Sequence, residues 1–173
     1  MNKQTIATRW VVMGVSGCGK SAIGGALAQQ LHVPFLEGDA YHAPANVAKM
    51  SAGTPLTDDD RTGWLEALHD EIRAARETGA GVVLSCSALK RRYRDLLRAA
   101  DPALRFAHLD GSRALILSRM EGRAGHYMPT SLLDSQLAAL ESLGADEAGI
   151  TLDIAATPAD LVAAIVAAAR VPQ

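Results

Sequence analysis

Cysteines, aromatic residues and long apolar runs are all scarce in this chain of 173 residues. Two cysteines, Cys18 and Cys86, are too few for a disulfide-stabilised scaffold. No apolar run reaches the roughly 18 residues of a membrane span, and residues 1–10 lack the apolar stretch of a signal peptide. We therefore expect a cytoplasmic protein with reduced thiols and no membrane partner.

Positive charge is limited as well. The chain has 17 Lys and Arg residues against 19 Asp and Glu residues, which gives a net charge of −2. This balance argues against a nucleic-acid partner, because such binding needs a concentrated basic face. Apolar residues at 49% and charged residues at 21% are typical of a globular protein, and the length predicts one domain over residues 1–173.

Predicted strands alternate with predicted helices along the whole chain. The apolar pattern predicts strands at residues 9–13, 35–36, 81–86, 104–109 and 150–154. Helical spacing and capping residues predict helices at residues 21–31, 44–50, 57–79, 89–99, 112–121 and 131–141, and from residue 157 onward. Most strand segments are continuous apolar runs, which predicts an α/β fold whose parallel sheet is covered by helices on both faces.

A glycine-rich segment between the first strand and the first helix matches the phosphate-loop pattern G-x-x-x-x-G-K-[ST] in full. It consists of Gly14, Val15, Ser16, Gly17, Cys18, Gly19, Lys20 and Ser21, with Ala22 next in the helix. Glycines allow backbone N–H groups to surround an oxyanion, and the helix N-terminus adds partial positive charge. In such loops Lys binds the β- and γ-phosphates and Ser/Thr binds Mg²⁺, so we expect ATP and Mg²⁺ as cofactors. The alternative is a glycine-rich turn with a chance lysine.

Two carboxylates follow the second strand. Glu37 and Asp39 lie two residues apart, on the same side of an extended chain, at the strand end where ligands bind in open α/β sheets. Asp39 is predicted to orient an acceptor hydroxyl or take its proton, and Glu37 is predicted to reach Mg²⁺ through a water molecule. No Asn/Thr-Lys-x-Asp motif of a GTPase is present in the sequence, and the chain length suits a small-molecule or nucleotide kinase. A solvated acidic turn is the alternative.

Basic residues fall near the same predicted strand ends. Lys49, Arg61 and Lys90 are suited to an anionic, polyhydroxylated substrate, although each alone is compatible with a surface cation. Arg119 and Arg123 lie four residues apart on one helical face and lead into a glycine-containing loop. This arrangement resembles a lid at about residues 122–130. A basic helix end, favoured by the helix dipole, is the alternative.

The segment from Gly38 to Leu65 carries a more specific pattern. It reads G-D-x-x-H-x-x-x-N-x-x-K-M-x-x-G-x-P-L-x-D-x-D-R-x-x-W-L, and it resembles the corresponding segment of the small, bacterial-type gluconokinases. Residues 86–95, 119–128 and 144–147 resemble that family's segment after the third strand, its lid and the turn that follows. The resemblance covers nearly the whole chain.

The resemblance implies a three-layer phosphate-loop kinase fold of the shikimate-kinase-like group, with five parallel strands, flanking helices and a small lid. It implies ATP-dependent phosphorylation of D-gluconate on its 6-hydroxyl by a homodimer, with Arg119 and Pro158 beside the adenine. We expect Lys20, Asp39 and Arg123 to be catalytic. We expect gluconate to lie among six residues: Asp39, His42, Lys49, Arg61, Lys90 and His126. Trp64 and Met50 are interpreted as packing residues, and His108 as structural.

Alternatives remain within and outside the kinases. Shikimate or a nucleoside monophosphate is the alternative acceptor, although the segment from His42 to Arg61 argues against both. A non-catalytic, nucleotide-sensing module is the alternative from another class. The carboxylates of Glu37 and Asp39 beside the phosphate loop favour catalysis.

Overall fold

A computed structural model of the chain describes residues 7–122 and 129–170. Within these residues five strands form one parallel sheet in the order β2-β3-β1-β4-β5. The strands are β1 Arg9–Met13, β2 Phe35–Glu37, β3 Val82–Ser85, β4 Arg105–Asp110 and β5 Gly149–Asp153. All five strand predictions are confirmed, each within one residue at either end. Because β1 is central, the loop that follows it lies in the middle of the sheet edge.

Seven α-helices connect or follow the strands in the described part of the chain. They are α1 Lys20–Leu31, α2 Pro44–Ser51, α3 Asp58–Glu77, α4 Arg91–Ala100, α5 Arg113–Glu121, α6 Thr130–Ala139 and α7 Pro158–Ala169. The predicted helices are confirmed, with one informative difference at α4. That helix begins at Arg91 and not at Leu89, because Lys90 has an extended backbone and Ala88 a positive φ of 44°.

Helices cover both faces of the sheet, so the domain has three layers. Alternate residues of β1 point to opposite faces, as the strand period of two requires. Trp10 and Val12 pack in a core cluster with α1 and α7, whereas Val11 and Met13 pack with α3 and α4. The two clusters together fix the helices against the central strand.

The prediction of strands buried on both faces is confirmed for the central strands. Every residue of β3 is buried, and so is every residue of β1 except Arg9 and every residue of β4 except Arg105 and Asp110. The edge strands differ: β2 is half-buried throughout, and β5 alternates between exposed and half-buried residues. An edge strand has only one strand neighbour, so helices and loops cover it less completely.

The start of α3 is fixed by a reciprocal capping box. The Thr57 hydroxyl accepts a hydrogen bond from the Asp60 backbone N–H at 3.1 Å, and the Asp60 carboxylate accepts one from the Thr57 N–H at 2.9 Å. The helix start predicted at residue 57 is therefore confirmed. None of the helices in residues 7–122 and 129–170 is long and apolar enough to cross a membrane.

Candidate active site

The phosphate loop leaves β1 at Gly14 and enters α1 at Lys20. Gly14, Gly17 and Gly19 all have positive φ, at 145°, 81° and 97°. A Cβ on Gly14 would lie 2.7 Å from both the Cys18 sulfur and the Leu109 carbonyl oxygen, closer than side chains approach such atoms. These positions require glycine, which explains the spacing of the motif in physical terms.

The two residues predicted to hold Mg²⁺ are in direct contact. The Ser21 hydroxyl donates a hydrogen bond to the Glu37 carboxylate at 2.5 Å. The other oxygen of Glu37 accepts a bond from the Ser85 hydroxyl at 2.6 Å, and Ser85 in turn accepts one from the Gly38 N–H at 3.1 Å. The sequence pattern did not predict a role for Ser85. The feature that could have identified Ser85 is the register of the parallel sheet, which places it beside Glu37.

Lys20 is folded back onto its own loop. Its ammonium group donates a hydrogen bond to the Val15 carbonyl at 3.0 Å. Val15 itself is buried, with only 2% of its surface exposed. The ammonium group therefore lies against the loop, whose backbone N–H groups and following helix N-terminus favour an anion.

A cavity of about 150 Å³ adjoins the phosphate loop where the loop meets α1 and α7. The residues that line it include most of those predicted to contact the nucleotide: Gly17, Cys18, Gly19, Ala22, Arg119 and Pro158. The Arg119 guanidinium donates a hydrogen bond to the carbonyl of Ile154, the residue after β5. This bond holds the end of α5 against the end of β5. Residues from both ends of the sequence thus form one pocket next to the loop.

The segment after β2 is a 3₁₀ turn, Gly38–Tyr41, that presents the Asp39 carboxylate to solvent. The Trp64 indole N–H donates a hydrogen bond to the Gly38 carbonyl at 2.8 Å and holds this turn against α3. At Gly38 itself a Cβ would lie 1.9 Å from the Ser85 carbonyl oxygen, so only glycine fits there. Trp64 is buried as expected, and it also positions the turn that carries Asp39.

His42 ends this turn, with its ring stacked on Trp64 at a centroid distance of 4.2 Å. Burial lowers the pKa of His42; the nearby charge of Arg61 acts in the same direction and the charge of Asp39 opposes it. Among the described residues its buried Nδ1 atom has no hydrogen-bond partner. The imidazole is therefore neutral near pH 7 and offers an uncharged polar group beside Asp39.

A second cavity, of about 270 Å³, contains two of the predicted cations, Arg61 and Lys90. The Arg61 guanidinium donates to the Leu56 carbonyl at 2.9 Å and reaches the Tyr93 hydroxyl at 3.5 Å. Arg61 and Lys90 also lie over the Tyr93 ring, at 5.6 and 5.8 Å from its centroid. Met50, interpreted from the sequence as a packing residue, lines this cavity too.

The Asp58 carboxylate partly neutralises this cluster. It accepts hydrogen bonds from the Tyr93 hydroxyl and from the Lys90 ammonium group, the latter at 3.1 Å, and it forms an ion pair with Arg92 at 2.5 Å. The Tyr93 hydrogen bond, with that of Lys90, lowers the pKa of Asp58. The sequence pattern assigned no site role to Asp58 or Tyr93. In the structure Asp58 lines the cavity, and the Tyr93 hydroxyl contacts the Asp58 and Arg61 side chains.

Lys49 does not line this cavity. Its ammonium group is paired with the Asp60 carboxylate at 2.9 Å, and 43% of its side-chain surface is exposed. The Thr57 backbone bond, together with the Lys49 bond, lowers the pKa of Asp60 to about 2. The structure thus brings Lys49 to the capping box of α3, and its substrate role stays a prediction. Arg123 and His126, with most of the expected lid at residues 122–130, lie outside the described residues.

The buried thiol of Cys86 shows that several predicted residues converge. Burial raises the pKa of Cys86 to about 12, and the charges of Lys20, Asp39 and Arg61 all act on its sulfur. Lys20 of the phosphate loop, Asp39 of the 3₁₀ turn and Arg61 of α3 thus all act electrostatically on a residue that directly follows β3. A phosphate loop, a carboxylate and a basic cavity near one strand end are the parts that phosphoryl transfer needs.

Gln136 of α6 joins the loop to the second cavity. Its side-chain oxygen accepts a hydrogen bond from the Ser16 backbone N–H at 2.8 Å, and the residue also lines the cavity with Arg61 and Lys90. The sequence pattern did not predict Gln136, because it lies 120 residues from Ser16 and in no recognised motif.

Comparisons with known proteins agree with this geometry. A family model described as an AAA domain matches residues 10–143. The gluconokinase of Gluconobacter oxydans (strain 621H) is 54% identical over 137 residues, which cover 79% of this chain and 77% of that protein. The thermoresistant gluconokinase of Escherichia coli (strain K12) is 47% identical over 141 residues, covering 82% and 81%. The crystal structure of a gluconokinase from Sinorhizobium meliloti 1021 superposes with a TM-score of 0.87 at 45% identity, covering 95% of this chain and 92% of that one.

Proposed function

Because the chain belongs to the gluconokinase family of phosphate-loop kinases, we propose that it transfers the γ-phosphoryl group of ATP to the 6-hydroxyl of D-gluconate. The products are 6-phospho-D-gluconate and ADP. The observation that carries this proposal is the cavity lined by Arg61 and Lys90, which adjoins the phosphate loop through Gln136. One domain over residues 1–173 performs the whole reaction.

The nucleotide occupies the phosphate loop and the cavity beside it. Backbone N–H groups of the loop and Lys20 hold the phosphates, while Arg119 and Pro158 flank the base. Within the described residues no group of three His, Cys, Asp or Glu side chains is placed to hold a metal. A Mg²⁺ ion therefore depends on the oxygens of Ser21 and Glu37, which fit its preference, and on the phosphates themselves. When bound, it neutralises charge on those phosphates.

Gluconate occupies the second cavity. Its carboxylate pairs with Arg61 and Lys90, which supply charged donors in that cavity, and its hydroxyls meet polar groups such as Asp58. The proposal keeps His42, Lys49 and His126 as further substrate contacts. For His42 it is supported by the neutral imidazole, which lies near the charge of Asp39.

Asp39 orients the acceptor hydroxyl and takes its proton as the phosphoryl group transfers. Its carboxylate is exposed to solvent at the end of β2, on a turn that Trp64 and Gly38 hold in place. Lys20 and Arg123 stabilise the negative charge of the transferring group. Each of these roles needs a fixed position, since an acceptor that is out of line with the phosphoryl group loses most of its rate advantage.

One assay tests the reaction. ADP release is measured by a coupled enzyme reaction with gluconate, shikimate and AMP offered in parallel to the purified chain. We expect turnover with gluconate only. Faster turnover with shikimate or AMP would assign a different acceptor, and ATP binding without ADP release in any arm would favour a nucleotide-sensing module.

The family resemblance also supports a homodimer that works in the cytoplasm. Sedimentation velocity of the purified chain tests the assembly, with a dimer mass expected at micromolar concentration. A monomer that is fully active at the same concentration would contradict this part of the proposal.

A further inference from the structure

Gln136 lies at the boundary between the two cavities of the site. Gln136 contacts Ser16, and the next residue, Gly17, lines the nucleotide cavity. Gln136 itself lines the cavity that contains Arg61 and Lys90. If ATP occupies the first cavity and the acceptor the second, the phosphoryl group crosses this boundary during transfer. The side chain of Gln136 is therefore placed beside the reacting atoms.

The contact with Ser16 fixes which way the Gln136 amide is turned. A backbone N–H can only donate, so the side-chain atom that faces it at 2.8 Å is the oxygen. The planar amide then directs its NH₂ group, with two donors, away from the Ser16 N–H. Leu132 and Leu133 are buried and anchor α6, which limits the freedom of this side chain one turn later in the helix.

The chemistry of the step calls for a donor at this place. During transfer, negative charge spreads over the three equatorial oxygens of the phosphoryl group. A donor that is already oriented toward those oxygens stabilises the transition state without further reorganisation. A neutral amide supplies such a donor without adding charge to the cavity walls.

We propose that the NH₂ group of Gln136 donates a hydrogen bond to an oxygen of the transferring phosphoryl group while its oxygen stays on the Ser16 N–H. This inference rests on the proposed phosphotransfer function and adds a catalytic residue to it. It assigns Gln136 to the reaction step itself and not to the affinity for either substrate.

Three substitutions separate this role from a merely structural one. Gln136→Glu keeps an oxygen for the Ser16 N–H but replaces the NH₂ donor with a second, negatively charged oxygen. Gln136→Ala removes both groups, and Gln136→Met removes both while it keeps the side-chain volume. Gln30→Glu makes the same change of charge at an exposed position of α1 and serves as the matched control.

The variants are compared at pH 8, where a glutamate is ionised, by kcat and KM and by thermal unfolding. We expect kcat to fall by about 10- to 100-fold in Gln136→Ala and Gln136→Met, as for loss of a hydrogen bond to a charged group, and at least as far in Gln136→Glu. KM for both substrates should stay within about threefold, the pattern of an interaction made mainly in the transition state. Gln30→Glu should match the wild type.

The acceptor in these assays is whichever of gluconate, shikimate and AMP the wild type phosphorylates fastest, and ADP release without acceptor is followed as well. A negative result with gluconate thus refutes the proposed substrate and still permits the Gln136 comparison. Wild-type kcat in Gln136→Glu with reduced kcat in Gln136→Ala would show that the residue only supports the loop. That outcome, or wild-type kcat in all three folded variants, overturns the inference.

Discussion

A buried ion pair between Arg94 of α4 and Glu147 supports the substrate side of the site. Their side chains are 0% and 1% exposed, and the guanidinium donates two parallel hydrogen bonds to the carboxylate, at 2.8 and 3.0 Å. Arg94 also donates to the Ala88 carbonyl at 2.9 Å, close to the extended Lys90 backbone. We predict that Glu147→Gln strongly destabilises the fold.

Two arguments give the size of the effect. Removing one partner of a buried pair leaves an uncompensated charge and typically costs about 3–5 kcal/mol. Separately, burial alone would raise the pKa of Glu147, but hydrogen bonds from Arg94, the Gly144 N–H and Arg98 outweigh it and lower the pKa to about 2. A fall from 4.5 to about 2 corresponds to about 3 kcal/mol of stability. Because the folded-state pKa is depressed, this stability is present above pH 4.5 and is lost as the pH falls toward 2.

Urea unfolding at pH 7 measures the loss, with tryptophan fluorescence as the signal, since Trp10 and Trp64 are both buried. We expect Glu147→Gln to lower the free energy of unfolding by about 3 kcal/mol. The matched control is Asp146→Asn, whose exposed pair with Arg91 should contribute at most about 1 kcal/mol. A Glu147→Gln variant as stable as the Asp146→Asn control would refute the reasoning. A Glu147→Gln variant whose acid-unfolding profile is identical to that of the wild type would refute it as well.

Three further predictions concern the site and the sheet. Asp39→Asn should lower kcat by about 10²- to 10⁴-fold, because it removes the proton acceptor. The ATP affinity, measured by calorimetry, should stay nearly unchanged, and near-normal turnover would exclude the proton-acceptor role. Arg61→Ala should raise the gluconate KM by about tenfold or more through loss of a charged hydrogen bond, and an unchanged KM would remove Arg61 from the substrate site. Burial lowers the pKa of His108 in β4, so the unfolded chain binds more protons and stability should decline as the pH falls below about 6.5. His108→Leu should flatten this decline in thermal unfolding between about pH 7.5 and pH 5.5, whereas parallel curves would contradict the assignment.

Local patterns predicted the fold well because they depend on neighbours in the sequence. Apolar runs located the five strands, and capping residues located the start of α3 at residue 57. The start of α4 was predicted two residues too early. Nothing local shows that Lys90 is extended, because its conformation depends on Ala88 and on the Arg94 network that holds the preceding carbonyls.

The site was predictable where its residues are contiguous and unpredictable where the fold assembles them. The phosphate loop is one motif, and sheet geometry brings Glu37 to Ser21. Gln136 reaches Ser16 across 120 residues, a contact that no spacing rule reveals. The substrate contact that the motif predicts for Lys49 stays a prediction, and its pairing with the Asp60 carboxylate is a contact that the motif did not predict.

The charge on the walls of the acceptor cavity constrains the ligand. Among the described residues that line it, Arg61 and Lys90 are positive and Asp58 is negative, so the walls carry one net positive charge. One carboxylate on the ligand balances that charge. The charge of these walls therefore matches a polyhydroxylated monoanion and not a dianionic ligand, in agreement with the proposed acceptor.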